Sequence, residues 1–234
     1  MSQSDQILGR LSLLCSVYKQ VSKHFKKQNN MTQIEITNSD DFREKSWELE
    51  NETDNQIILS LNDDIEHFHA IRFPKKKLIW ITNLKEKEIN YLIKLSPLKH
   101  NEPGRDVCNE TSFFFGGDDN SLNQFSNINI KGIIKEPFRF VSGTDKQVFR
   151  DEKSIKDQEI IEISEIGKLP CSELLFMQIS HHSKLTFFNC IFHNNTEKDF
   201  KIETWHNAVV VFVNCDFHGK FSFNSNHDSV IIRH

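Results

Sequence analysis

The residues best suited to chemistry in this chain are histidines, and they are unevenly spread: seven of the eleven lie beyond residue 180. His181, His206 and His227 follow one another at spacings of 25 and 21, and His193 and His218 are again 25 apart. A row of imidazoles could ligate a metal or move protons near neutral pH. A zinc site needs nitrogens converging at about 2.0–2.1 Å on one ion, whereas residues repeated along a stack are spread out. The spacing therefore predicts a polar ladder at recurrent turns, with no metal and no cofactor. Trp205 adds aromatic surface beside His206. Together, His181, Trp205, His206 and His227 are the candidate ligand-binding residues.

The second reactive type is cysteine. Cys15, Cys108, Cys171, Cys190 and Cys215 are odd in number and form no CxxC pair. That pattern fits neither a zinc ribbon nor a dithiol redox motif, and it predicts reduced thiols in a core. Two of the five sit in matching phrases, "FFNCIFHNN" from Phe187 and "FVNCDFHGK" from Phe212. Asn189 and Asn214 precede them, and asparagine suits a tight left-handed turn.

These phrases belong to a longer repeat. At an offset of 25, Leu185 aligns with Val210, Phe187 with Phe212 and Phe192 with Phe217. At an offset of 21, Phe200 aligns with Phe221, Ile202 with Phe223 and Asn207 with Asp228. Units of this length made of short β runs and turns predict a stack of rungs with continuous inner columns. Leu185, Val210 and Ile231 would form an aliphatic column, and Phe187 with Phe212 an aromatic one. Arg233 falls on that aromatic column, and the expectation is that it projects into solvent. The 20 phenylalanines, against 2 tyrosines and 3 tryptophans, call for such a stacked interior.

The phrases "LTFFNCIFHNN", "VVFVNCDFHGK" and the more degenerate "INIKGIIKEPFRFV" resemble the rungs of right-handed parallel β-helices of the pectate-lyase-like superfamily. The resemblance implies an all-β fold with three short strands per rung. Residues 5–27, with apolar side chains at helical spacing from Ile7 to Phe25, predict an amphipathic helix capping it. The expected organisation is an N-terminal helix over 1–30, irregular early β rungs and a long loop over 31–127, and regular β-helix rungs over 128–234.

That superfamily includes glycosidases with an Asp pair, a His-Gly and an Arg-x-Lys on adjacent rungs. Here Asp118-Asp119, His218-Gly219 and Arg233 resemble those words, but Asp119 and His218 are 99 residues apart and no Lys follows Arg233. Carboxylates acting on a glycoside must sit within about 5–10 Å of each other. No catalytic residue is assigned. Nor do Glu197, Asp199, Glu203, Asp216 and Asp228 repeat in register as a calcium site would require.

If Val210 and Phe212 point inward, their neighbours point outward. Phe188, Val209, Val211, Val213, Val230 and Ile232 then form an apolar outer face, a candidate interface unless a segment of the same chain covers it. The strand pattern running to "SVIIRH" predicts association of copies through an open C-terminal rung, or a longer parent chain. A net charge of −4 argues against nucleic acid as a partner. No signal peptide and no transmembrane helix are read, which favours the cytoplasm. The functional expectation is a binding or scaffold protein for carbohydrate or protein. The alternatives are a polysaccharide lyase or glycoside hydrolase, and a non-catalytic assembly protein.

Overall fold

The computed structural model describes residues 31–49, 51–67, 71–73, 77–85, 87–97, 114–117, 122–144, 148 and 159–234. The helix expected over 5–27 lies outside these residues. The described chain is predominantly β, and three parallel sheets dominate it.

The first sheet holds seven strands in the order β1 (Thr32–Ile36), β2 (Gln56–Leu61), β5 (Leu78–Thr82), β9 (Leu122–Ser126), β14 (Lys184–Phe188), β17 (Val209–Val213) and β20 (Val230–Arg233). The second runs β3 (Ile65–His67), β6 (Asn90–Lys94), β10 (Asn129–Ile133), β15 (Ile191–His193) and β18 (Asp216–His218). The third runs β4 (Ile71–Phe73), β8 (Phe114–Gly117), β13 (Glu173–Ser180), β16 (Asp199–Thr204) and β19 (Phe221–Ser225). The short β7 (Ser96–Pro97) lies antiparallel against β13. From β2 to β20, one hairpin between β10 and β13 apart, the chain visits the three sheets in rotation, and each full circuit adds a strand to every sheet. Such a coil explains the repeat length. Three strands of three to eight residues, plus their turns, fill a unit of 21–25.

The register follows the sequence alignment. Leu185 pairs with Val210 and Phe187 with Phe212 between β14 and β17, while Phe200 pairs with Phe221 and Ile202 with Phe223 between β16 and β19. Inside, Phe125, Phe187 and Phe212 stack at 5.3 and 5.2 Å. Phe192 stacks on Phe217 at 4.6 Å, and Phe176 on Phe200 at 5.3 Å. Sheets buried on their inner face require such apolar columns, because each side chain rests on its equivalent one strand away.

Three features differ from expectation. Ser39–Glu48 forms a helix, α1, capped by Asn38, whose Oδ1 accepts the Asp41 amide at 2.9 Å. Its first turn carries Asp40 and Asp41, and its last carries Lys45, as the helix dipole favours. Phe42 packs edge-on against the buried Tyr91 at 5.8 Å, so α1 closes the core beside β1 and β3. Within 31–127, where a long loop is expected, β7, β8 and β9 join the sheets. "INIKGIIKEPFRFV" is divided: β10 joins the second sheet, but Phe138–Val141 (β11) pairs antiparallel with Ile160–Ile163 (β12) as a separate hairpin. Pro137 precedes β11 and has no amide to give a ladder, which suits a break in pairing.

Arg233 is exposed, as expected. It pairs with Phe212 as the offset requires, yet its guanidinium lies 4.7 Å from the ring centres of both Phe217 and Phe223. A cation over two aromatic faces keeps contact with water while covering the last rings of the core.

The first sheet crosses residue 127 without interruption, since β9 pairs with β14, and β6 pairs with β10 across the same point. Among the described residues no helix is long and apolar enough to cross a membrane.

Candidate functional site

The candidate histidines occupy turns between the third and first sheets. Each turn contains two adjacent residues with left-handed backbone: His181-His182 (φ 59° and 59°), His206-Asn207 (52° and 59°) and His227-Asp228 (50° and 56°). Few side chains tolerate that conformation, and Asn, Asp and His are enriched there. Backbone geometry thus accounts for part of the residue choice. The turns are joined by amides: the His182 N–H donates to the His206 carbonyl and the Asn207 N–H to that of His227, both at 3.0 Å.

The side chains project from this corner as an exposed ridge. His181 and His206 have ring centres 5.4 Å apart, and His206 and His227 stack at 5.4 Å with planes 14° apart. Trp205 joins them, 5.3 Å from His227 and 6.2 Å from His206. Its Nε1 donates to the buried Glu203 at 3.2 Å, which fixes the indole on the ridge. The serine before the first turn, Ser180, contacts His181 Nδ1 through its hydroxyl. Among the described residues, no group of three or more His, Cys, Asp or Glu is placed to hold a metal ion. The ridge offers stacked rings and exposed nitrogens instead.

The apolar candidates lie immediately beyond this ridge, on the outer face of the first sheet. Register places Val209 beside Val230, Val211 beside Ile232, and Phe188 beside Val213. All six are half-buried and outward. β-branched side chains at successive outward positions make a smooth surface, since their single favoured rotamers hold the methyl groups fixed. Lys184 and Thr186 border the grid on β14. The far side is bounded by Asn127, Asn189 and Asn214, with φ of 57°, 52° and 55°. Their amides form a ladder, Asn189 Nδ2 to Asn127 Oδ1 at 3.4 Å and Asn214 Nδ2 to Asn189 Oδ1 at 3.2 Å. Each ridge histidine lies just before its strand of the first sheet, so ridge and grid are neighbours on one surface.

The other tryptophans are elsewhere. Trp80 lies on the outer face of β5, where its Nε1 donates to Ser126 Oγ at 2.7 Å. Trp47 projects from α1 with the Arg43 guanidinium 5.9 Å from its ring centre. The sequence singles out neither Ser180 nor, as a partner of Trp205, Glu203, which is weighed there only as a calcium ligand. Their only signal is position: one residue before His181, and two before Trp205.

The second histidine ladder stands apart, on the outer face of the second sheet. Lys131, His193 and His218 share one register position there, with the two imidazoles 5.1 Å apart. His193 is held below its ordinary value of 6.5, first by burial, then by Lys131 and His218, while Glu88 acts in the opposite direction. With the neutral form favoured in the fold, the unfolded chain takes up this proton first as pH falls. The stabilising contribution is present above 6.5 and is lost as pH falls through it toward the folded value. Between about pH 8 and pH 5 the denaturation midpoint should fall, and it should fall less in His193→Gln. Equal falls in the two proteins would contradict this assignment.

Asp118 and Asp119 lie outside the described residues. Arg233, the third part of the glycosidase-like pattern, is occupied by Phe217 and Phe223 as described above. No protein-family model matches the chain, and no curated protein matches it in sequence.

Proposed function

We propose that this chain is a non-catalytic binding scaffold on a right-handed parallel β-helix of the pectate-lyase-like kind, and that its ligand face is the outer surface at β14, β17 and β20. One observation carries the reading. The ridge of Trp205, His181, His206 and His227 adjoins the grid of Phe188, Val209, Val211, Val213, Val230 and Ile232. A contiguous apolar surface that remains partly open to solvent is a common mark of an interaction site. Smooth β-branched side chains fit the apolar face of a protein partner, a second copy of the chain included.

A second reading, a carbohydrate ligand, is favoured by Trp205. Its indole is held in a fixed orientation by Glu203 on an exposed ridge with imidazole donors beside it. Sugar rings stack on such aromatic surfaces while their hydroxyls meet nearby polar groups.

Two assays on the full chain separate these readings. On a glycan array, binding that Trp205→Ala abolishes supports the carbohydrate reading. In sedimentation velocity, association that rises with concentration, is lost in Val211→Glu and is kept in Trp205→Ala supports the protein reading. Association lost in neither variant, with no glycan bound, would overturn the assignment of this face.

A further inference from the structure

Cys190 and Cys215 occupy one inner column of the coil. The strands on both sides of them are in register, Phe188 with Val213 and Ile191 with Asp216, so the two cysteines stand one strand spacing apart, about 4.8 Å. The same column continues upstream through Ile128 and Ile89. Each step carries an equivalent backbone bond: the Asn129 amide to the Ile89 carbonyl, that of Ile191 to Ile128, and that of Asp216 to Cys190. Two isoleucines fill the position where only packing is needed. The next two circuits replace them with thiols that point toward carbonyls, Cys190 Sγ at 3.5 Å from the Phe188 oxygen and Cys215 Sγ at 3.4 Å from that of Val213.

The two thiols differ in access. Cys190 is fully buried, whereas Cys215 is only partly covered. They also differ in acidity. The neighbouring Cys190 thiol draws Cys215 below its ordinary value, while burial pushes Cys190 up. A partly exposed, more acidic thiol beside a buried partner is the arrangement of an attacking and a resolving cysteine.

We propose that Cys190 and Cys215 form a reversible disulfide between successive circuits by exchange with a small disulfide of the glutathione type. The Cys215 thiolate attacks one sulfur of oxidised glutathione, breaking its S–S bond and releasing one glutathione thiolate. The mixed disulfide then lies next to Cys190. Cys190 Sγ attacks Cys215 Sγ, the second glutathione departs as thiolate, and the two protein protons end on the two glutathiones. Two protein thiols are oxidised and one small disulfide is reduced. Disulfides usually hold Cβ atoms about 3.8 Å apart, closer than one strand spacing. The last circuits must tighten to make the bond, so it is expected to open readily in excess reduced glutathione.

The test is peptide mapping under non-reducing conditions of the folded full-length chain, equilibrated over a series of reduced-to-oxidised glutathione ratios. Wild type is expected to lose two hydrogens and give a linked Cys190–Cys215 peptide that disappears as the reduced form is raised. Cys190→Val should stop at one glutathione on Cys215, and Cys215→Val should leave Cys190 unmodified. A persistent glutathione adduct on wild-type Cys215, no linked peptide at any ratio, or linkage to Cys15, Cys108 or Cys171 instead would overturn the proposal. The wild-type map decides the matter even where a variant fails to fold.

Discussion

Replacing Phe187 with alanine is expected to destabilise the protein by about 4 kcal/mol, the largest effect of any single truncation proposed for this fold. Phe187 is fully buried and central to the stack. It lies 5.3 Å from Phe125 and 5.2 Å from Phe212, and meets Phe192 edge-on at 5.3 Å. Alanine removes the transfer energy of a whole ring and leaves a cavity between two strands whose spacing is fixed by the backbone ladder. The neighbours cannot close that cavity without breaking register. Loss of three ring contacts adds about 0.5–1.5 kcal/mol for each well-placed pair. Equilibrium unfolding in guanidinium should show the loss as a lowered midpoint. Phe188→Ala, one residue on but facing outward, should cost about 1 kcal/mol. Similar losses at the two positions would mean that the inward and outward phases of β14 are wrongly assigned.

The second large effect is expected at Gly219. It follows β18 with φ of +96°, and a Cβ built there would clash with the Asn194 carbonyl oxygen. The obstacle is backbone, so no rotamer change relieves it. Asn194 is itself fixed: its Nδ2 donates to the Lys198 and Lys220 carbonyls at 2.8 and 2.7 Å, and its Oδ1 accepts from the Thr196 amide at 3.0 Å. Gly219→Ala must displace that turn or unpair β18, at a cost of about 3 kcal/mol from backbone strain and overpacking together. Gly143 provides the control. Its φ is also positive, at +74°, but nothing lies within 4 Å of its added Cβ. Gly143→Ala should therefore cost only about 1 kcal/mol. Because each strand of such a stack contacts mainly its neighbours, hydrogen exchange in Gly219→Ala should rise most in β18 and β19. Equal losses at the two glycines would contradict the close approach to Asn194.

The repeat was legible because equivalent side chains in a parallel stack rest on each other. Selection for packing writes the same type at the same offset, as at Phe187 and Phe212 or Leu185 and Val210. Where packing is not columnar, the signal fades. β9 reads "LNQFS", and Asn123, Gln124 and Ser126 hide a strand whose one aromatic, Phe125, continues the stack. α1 carries few apolar residues, and only its cap and charge order mark it as a helix. Phe138 and Phe140 have the alternation of a coil strand, and alternation alone does not distinguish a parallel partner from an antiparallel one. The histidine ladder was legible as a column, but its cause was not. Paired left-handed residues at each turn explain His, Asn and Asp there, leaving the aromatic ridge as the part that backbone geometry does not require.

A binding role for β14, β17 and β20 requires their outer face to be open to a partner rather than covered by another segment of the same chain. The stability of Val211→Glu in the full-length protein, measured by guanidinium unfolding, tests this most directly. Val211 sits at the middle of the grid, between Thr186 and Ile232. On an open face, a carboxylate there stays hydrated and should change stability by no more than about 1 kcal/mol. A loss of about 3 kcal/mol or more would mean a buried charge, and so a face covered by the chain itself and not a binding surface.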